Sequence, residues 1–405
     1  MKTISLTFEL HEPVHLKRYR FFDIGADHNY LDIGRNRYQT RQMALASYIP
    51  VNEMLEKLLR RYAGNLRIGL YVSGTAMEQF RSYAPEVVKG LKRIAASGYA
   101  ELIGGTYSYS LSSLAGEDAF GYETYRHSEM LYKEFGQAPE TFFNTRLLYS
   151  DEIGRMVAQQ GYKSMMIDGS EYLLGWKSPN YIYANALQPK LRLSARNSSL
   201  SRDITEFFSA DISPVTAADE IAMRIDREEG EVINIMLRYR DICGSVDAVV
   251  NSLKILELLT ERTIGNHDCE YAKPQECRTK LQPVGILHAH DTCMRTGDDL
   301  DLYGLLGNEL QQEAFSQIYS HSPAVFALGE KNYTHVWEFM QGCEHFEQMS
   351  AGGTGRSESD ACEAFINYMN ILNDYALELD ERLAVKGTNF EHVEVESFEY
   401  EYENS

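Results

Sequence analysis

Apolar and polar residues alternate over residues 2–10, and this period of two predicts an opening strand that stops at Pro13, which cannot donate to a ladder. The spacing then alternates between helical and extended. Residues 50–62 read as a helix, 66–74 as a strand, 85–97 as a helix, and 99–105 as a short strand ending in Gly104-Gly105. A helix over 117–135 precedes a strand over 141–149. Ser150 then reads as an N-cap, with Asp151 and Glu152 in a first turn where carboxylates favour the helix dipole, and Gly161 closes that helix. Strands over 163–169, 190–196 and 232–239 complete the set. Strands separated by helices predict an α/β fold with a mostly parallel sheet, open or closed into a barrel. No internal repeat interrupts the pattern.

From Asp298 the sheet signal fades. Residues 302–319 and 362–383 carry helical spacing, and the Gly- and Ser-rich stretch 351–360 is a loop. Residues 390–405 alternate Glu with apolar residues and read as an acidic tail more than an edge strand, because nothing after them closes a sheet. The expected organisation is a barrel over 1–297, a helical domain over 298–385 and a tail over 386–405.

Composition narrows the function classes. A chain of 405 residues suits a barrel with an added helical part. The net charge of −20 argues against nucleic acid and anionic membranes, which select basic surfaces. The 27 Tyr residues suit sugar binding, through ring faces on C–H groups and hydroxyls at polar partners, and equally suit ordinary cores and loops. The cysteines (Cys243, Cys269, Cys277, Cys293, Cys343, Cys362) form no CxxC pair and are expected to be reduced thiols. The opening segment carries Glu9 and is no signal-peptide core, and no apolar run approaches the ~20 residues of a membrane span. These features predict a cytoplasmic protein.

Reactive side chains of α/β barrels lie at the C-terminal ends of strands. Four short segments fall there: His11-Glu12-Pro13, Glu101-Leu102 followed by Tyr107-Ser108-Tyr109, Asn144-Thr145-Arg146, and Arg238-Tyr239-Arg240-Asp241. Gly175-Trp176-Lys177-Ser178-Pro179 occupies the loop after the fifth strand. Trp176 there either stacks on a ligand or packs on the barrel rim. His288-Ala289-His290-Asp291 has donor types that suit zinc.

Taken together, over about residues 3–383, these segments resemble glycoside hydrolase family 57, most strongly its α-amylase branch. Residues 142–149 are similar to the family's Phe-Arg-Asn-Thr-Glu-Leu-Ile-Tyr, whose Glu is the nucleophile, and Arg146 stands at that Glu. Residues 235–240 resemble the Asp-Tyr-Glu segment, whose Asp is the general acid. Arg238 stands at the Asp and Arg240 at the Glu. Glu12 replaces the Gln of a His-Gln-Pro motif, Tyr109 replaces a His, and Cys243-Gly244 replaces Gly-Glu. Residues 288–294 resemble Pro-Asp-Ala-Leu-Ser-Trp, which sets Asp291 on the family Asp, leaves Met294 near an aromatic position and makes His288 and His290 loop residues. The resemblance implies a seven-stranded (β/α) barrel followed by a helical domain, acting on α-1,4-glucans by a retaining mechanism with no metal or organic cofactor. It also implies that His11, Glu12, Glu101, Tyr107, Tyr109, Trp176, Arg240 and Asp291 contact the sugar.

The departures fall on the chemistry. A retaining glycosidase needs two carboxyls about 5 Å apart, one to attack carbon and one to donate a proton. A guanidinium has no lone pair to attack with and keeps its proton near neutral pH. Because Asp241 is one residue off the Arg238/Arg240 face of an extended strand, it is a poor replacement acid. The expectation is an α-amylase-like protein with hydrolysis impaired. Two alternatives remain: a binder or altered enzyme for an anionic sugar, held by arginine forks unless nearby acids neutralise them, and a regulatory partner of an active amylase.

Overall fold

Seven parallel strands of the computed structural model close into a ring. Residues 2–266, 268–294, 302–351 and 357–387 are described, so the acidic tail beyond Gly387 lies outside them. The ring contains β1 (Lys2–Leu10), β2 (Ile68–Val72), β3 (Ala100–Leu102), β4 (Thr141–Phe143) and β5 (Ser164–Ile167). After β6 (Ile182–Asn185), it continues with β7 (Arg192–Ala195) and β8 (Val232–Arg238). β1 pairs with β2 and β8, β2 with β3, β4 with β5, and β5 with β7. Two isolated parallel bridges complete the circle, Gly104 to Phe142 and Arg196 to Asn234. At the first of these, Gly105 is required, because a Cβ there would stand 2.5 Å from the Phe143 carbonyl oxygen. Outside the ring, β6 runs antiparallel to β7, β9 (Cys269–Tyr271) lies beside the start of β1, and β10 (Ile286–Leu287) pairs with β6. The sequence pattern missed all three, which are short and lie outside the regular alternation of strand and helix that marks the ring.

The alternation of β1 separates two buried environments. Ile4, Leu6, Phe8 and Leu10 pack with Val51, Leu55 and Leu91 of the surrounding helices. Thr3, Ser5, Thr7 and Glu9 are also buried. Elsewhere the strands are shorter than expected. The strand expected over 141–149 ends at Phe143, and a 3-10 turn, Thr145–Leu147, follows. Ser150 does cap the helix Asp151–Gln159, accepting from the Ile153 amide.

The C-terminal helices share a core with the ring. Tyr71, Ile103, Phe143, Met166 and Met236 pack in one cluster with Trp337, Met340, Phe346 and Tyr368. The helical span expected over 302–319 divides at Gly307-Asn308, where Asn308 caps Glu309–Ser320. The last described helix, Glu358–Lys386, is longer than expected because Ser357 caps it, exchanging hydrogen bonds with Asp360.

Candidate functional site

The end of β1 and the helix Cys343–Gln348 build one polar cluster. Glu9, 4% exposed, accepts a hydrogen bond from the Tyr109 hydroxyl. The Tyr109 ring stacks on His11 with centroids 4.1 Å apart. His11 Nδ1 bonds Ser73 Oγ at 2.8 Å, and its Nε2 lies 3.6 Å from Glu344. Glu344 also accepts from the Val14 amide at 2.8 Å. Burial opposes ionisation of Glu344, but His11, His345 and the Val14 amide outweigh it and hold the carboxyl down at about 2. The helix Cys343–Gln348 is pinned at the same place, where the Cys343 amide donates to the Tyr109 carbonyl at 3.1 Å.

Arg146 stands next to this cluster. Asn144 makes the turn that carries it: its oxygen accepts from the Thr145 amide, and its Nδ2 donates to the Leu148 carbonyl and Ser113 Oγ. Thr145 is tied to Thr106 at 2.8 Å. Arg146 and Leu147 adopt left-handed backbone angles, φ 50° and 58°, and Tyr109 does so at 54°. These are the described non-glycine residues with positive φ, and each costs about 1–3 kcal/mol, so strain is concentrated at this cluster. The Arg146 guanidinium donates to Glu347 at 2.7 Å. Burial works against its charge, yet Cys343, Tyr109 and Glu347 raise its pKa above the ordinary arginine value.

At β8 the structure corrects the expected geometry. The strand ends at Arg238, and Tyr239–Asp241 is a 3-10 turn, so Arg238 and Arg240 do not share a strand face. Asp241 turns back onto Arg238, accepting from its amide at 3.0 Å and from its guanidinium at 2.9 and 2.8 Å. Arg240 is exposed. Glu12 is fully buried and accepts from the Tyr48 hydroxyl. Burial raises the Glu12 pKa, while Arg240 and Tyr48 pull it back. Tyr48 sits in a π-helical turn, Ala44–Tyr48, of the kind often found at functional sites.

Trp176 is 92% exposed, which removes the rim-packing alternative. Tyr172, in the same excursion after β5, is 73% exposed and reaches the exposed Asp291 at 3.5 Å. His288 faces Asp151 at 4.0 Å, and among the described residues neither His288 nor His290 belongs to a three-ligand group.

Two expected contact residues lie apart from the Arg146 cluster. Glu101 accepts from the Gln275 amide at 2.8 Å, beneath the helix Pro274–Lys280. Burial pushes its carboxyl up to about 7 against the pull of that amide. The Tyr107 hydroxyl donates to Glu78 of the helix Gly74–Tyr83, and Arg126 lies over its ring at 4.8 Å.

The family model for glycosyl hydrolase family 57 matches residues 5–290. The chain belongs to that family. Among its relatives is a Methanocaldococcus jannaschii protein with a provisional alpha-amylase description, 27% identical over 408 residues, covering 94% of this chain and 85% of that protein. The family 57 branching enzyme of Pyrococcus horikoshii shares the fold with a TM-score of 0.69 at 12% identity, over 96% of this chain and 92% of that one. An alpha-amylase of Thermotoga maritima does so with a TM-score of 0.61 at 12% identity, over 94% of each chain. The family 57 chain is thus α-amylase-like, with the mixed α/β barrel and C-terminal helices of glucan-processing enzymes.

Sequence reasoning missed the residues that the helical part contributes, Glu344 and Glu347, since over 300 positions separate Glu344 from His11. It also missed Asp168 and Arg196, 3.6 Å apart at the ends of β5 and β7, with Ser198 donating to Asp168 at 2.9 Å. A carboxylate directly after a strand was the available signal for Asp168.

Proposed function

We propose that this chain is an α-amylase-like member of family 57 that binds an α-glucan or modified sugar at the barrel mouth without hydrolysing it. The observation that carries the reading is that the two arginines which the resemblance sets at the family's carboxylate positions are each ion-paired with an acid of this chain. Arg146 is anchored by Glu347 and Arg238 by Asp241. Neither can attack an anomeric carbon or protonate a leaving oxygen. An anionic sugar would have to displace Glu347 or Asp241 from its guanidinium, so a neutral glucan is favoured over a phosphosugar. The exposed Trp176 and Tyr172 supply faces for sugar rings, with Asp291 beside them.

The shared core of ring and helices supports treating the described helices of residues 302–351 and 357–387 as a cap on the barrel, not an independent unit. The acidic charge argues against nucleic acid, and among the described residues no helix is long and apolar enough to cross a membrane. The six free, scattered cysteines suit a reducing compartment such as the cytoplasm. Isothermal titration with maltoheptaose tests the reading. Saturable binding, with the sugar recovered intact after prolonged incubation, is expected. Its cleavage, or no detectable binding, would overturn it.

A further inference from the structure

Away from the barrel mouth, one histidine and two glutamates converge between the barrel wall and the helical cap. Glu78 lies on Gly74–Tyr83, and His335 and Glu338 are three residues apart on one face of Lys331–Met340. One ligand atom from each lies within 4.8 Å of the others, and among the described residues no other group of three does this. Glu78 Oε2 is 3.3 Å from His335 Nδ1.

The surroundings orient the free oxygens. The Tyr107 hydroxyl donates to Glu78 Oε1, which leaves Oε2 for the imidazole side. Tyr122 and Arg126 both donate to Glu338 Oε1, each at 2.8 Å. Outer hydrogen bonds of this kind fix ligand geometry at metal centres. The Glu338 side chain is 2% exposed, whereas His335 is 44% exposed and opens on a cavity of about 680 Å³ also lined by Tyr122, Arg126 and Asn332. Water and ions can enter from that side.

We propose that Glu78, His335 and Glu338 bind a divalent transition-metal ion of the zinc type, which ties the helical cap to the barrel. One imidazole and two carboxylates are zinc donors, and three protein ligands leave a fourth position facing the cavity for water. Arg126 offsets one carboxylate charge, which disfavours the all-oxygen, highly anionic cages that suit calcium. His28 between Asp374 and Glu378 differs, since its two ring nitrogens already face separate carboxylates at 2.9 and 3.5 Å.

The test is calorimetric titration of the metal-stripped full chain with Zn2+, beside its melting temperature. One equivalent of Zn2+ is expected to bind and raise the melting temperature, and Mg2+ is not. His335→Ala and Glu78→Gln should each weaken binding about tenfold or more, with His28→Ala unchanged. Because His335 is half exposed, its replacement should leave the fold intact, and loss of the visible Co2+ spectrum in the variant gives a second readout. No Zn2+ binding by the wild type, or equal binding and spectra in His335→Ala, would overturn the proposal.

Discussion

Arg146 and Glu347 meet at 2.7 Å across the joint between the turn after β4 and the cap helix Cys343–Gln348. Their side chains are 13% and 27% exposed, so the pair is partly shielded from water. Removing Glu347 would leave a guanidinium largely buried beside Cys343 and Tyr109. Glu347→Ala should destabilise the protein by about 2 kcal/mol, less than a fully buried pair because solvent still screens it. Denaturant unfolding measures this, and an unchanged midpoint would mean that the pair is ornamental.

A carboxylate at position 146 would face Glu347. Arg146→Glu alone should therefore be less stable than Arg146→Glu with Glu347→Gln. A double-mutant cycle in denaturant reads the coupling, and additive effects would deny the contact.

Acid should act through Glu344. Its folded-state pKa of about 2 lies below the ordinary 4.5, so it contributes stability above pH 4.5 that is lost as pH falls through the folded value. Glu344→Gln should flatten the loss of stability between pH 4.5 and 2. A pH series of unfolding curves with parallel slopes in both proteins would contradict this.

Glu101 should behave in the opposite sense. Its folded pKa is raised to about 7, so the buried carboxyl costs stability progressively as pH climbs from 4.5 to 7, and the cost is constant above that. Glu101→Gln should be more stable than the wild type at pH 8, with the gap closing near pH 4. Because Glu101 lies under Pro274–Lys280, apart from the Arg146 cluster, sugar affinity should not change. A large loss of binding in this variant would place Glu101 back at the sugar.

Trp176, at 92% exposure, has little to lose from the fold. Trp176→Ala should change stability by no more than about 0.5 kcal/mol while weakening glucan binding by about 1 kcal/mol, near fivefold. Affinity electrophoresis through amylose gels separates the two effects.

Much of the barrel was legible because its strands are long enough to show period two or sit between clear helices. The strand ends expected near His11 and Arg238 match the ends of β1 and β8. What was hidden depended on local backbone and on distance along the chain. Thr141 onward reads as extended through Tyr149, yet Asn144 hydrogen-bonds the chain into a turn after Phe143. Arg240 looked like a strand-mate of Arg238 until the 3-10 turn at Tyr239–Asp241 brought Asp241 back as the partner of Arg238. Glu347, the acid that neutralises Arg146, lies 201 positions away and carries no motif.

The most direct test of the central claim is reducing-sugar release from soluble starch and maltooligosaccharides by the purified wild type, assayed beside an Arg146→Glu, Arg238→Asp double variant. The wild type is expected to release none, because a retaining mechanism needs two carboxyls and, on the proposed reading, two ion-paired arginines, Arg146 and Arg238, stand at their positions. Steady glucan hydrolysis by the wild type would contradict that claim and transfer the chemistry to other carboxylates of the cluster, Glu9 and Glu344 first among them.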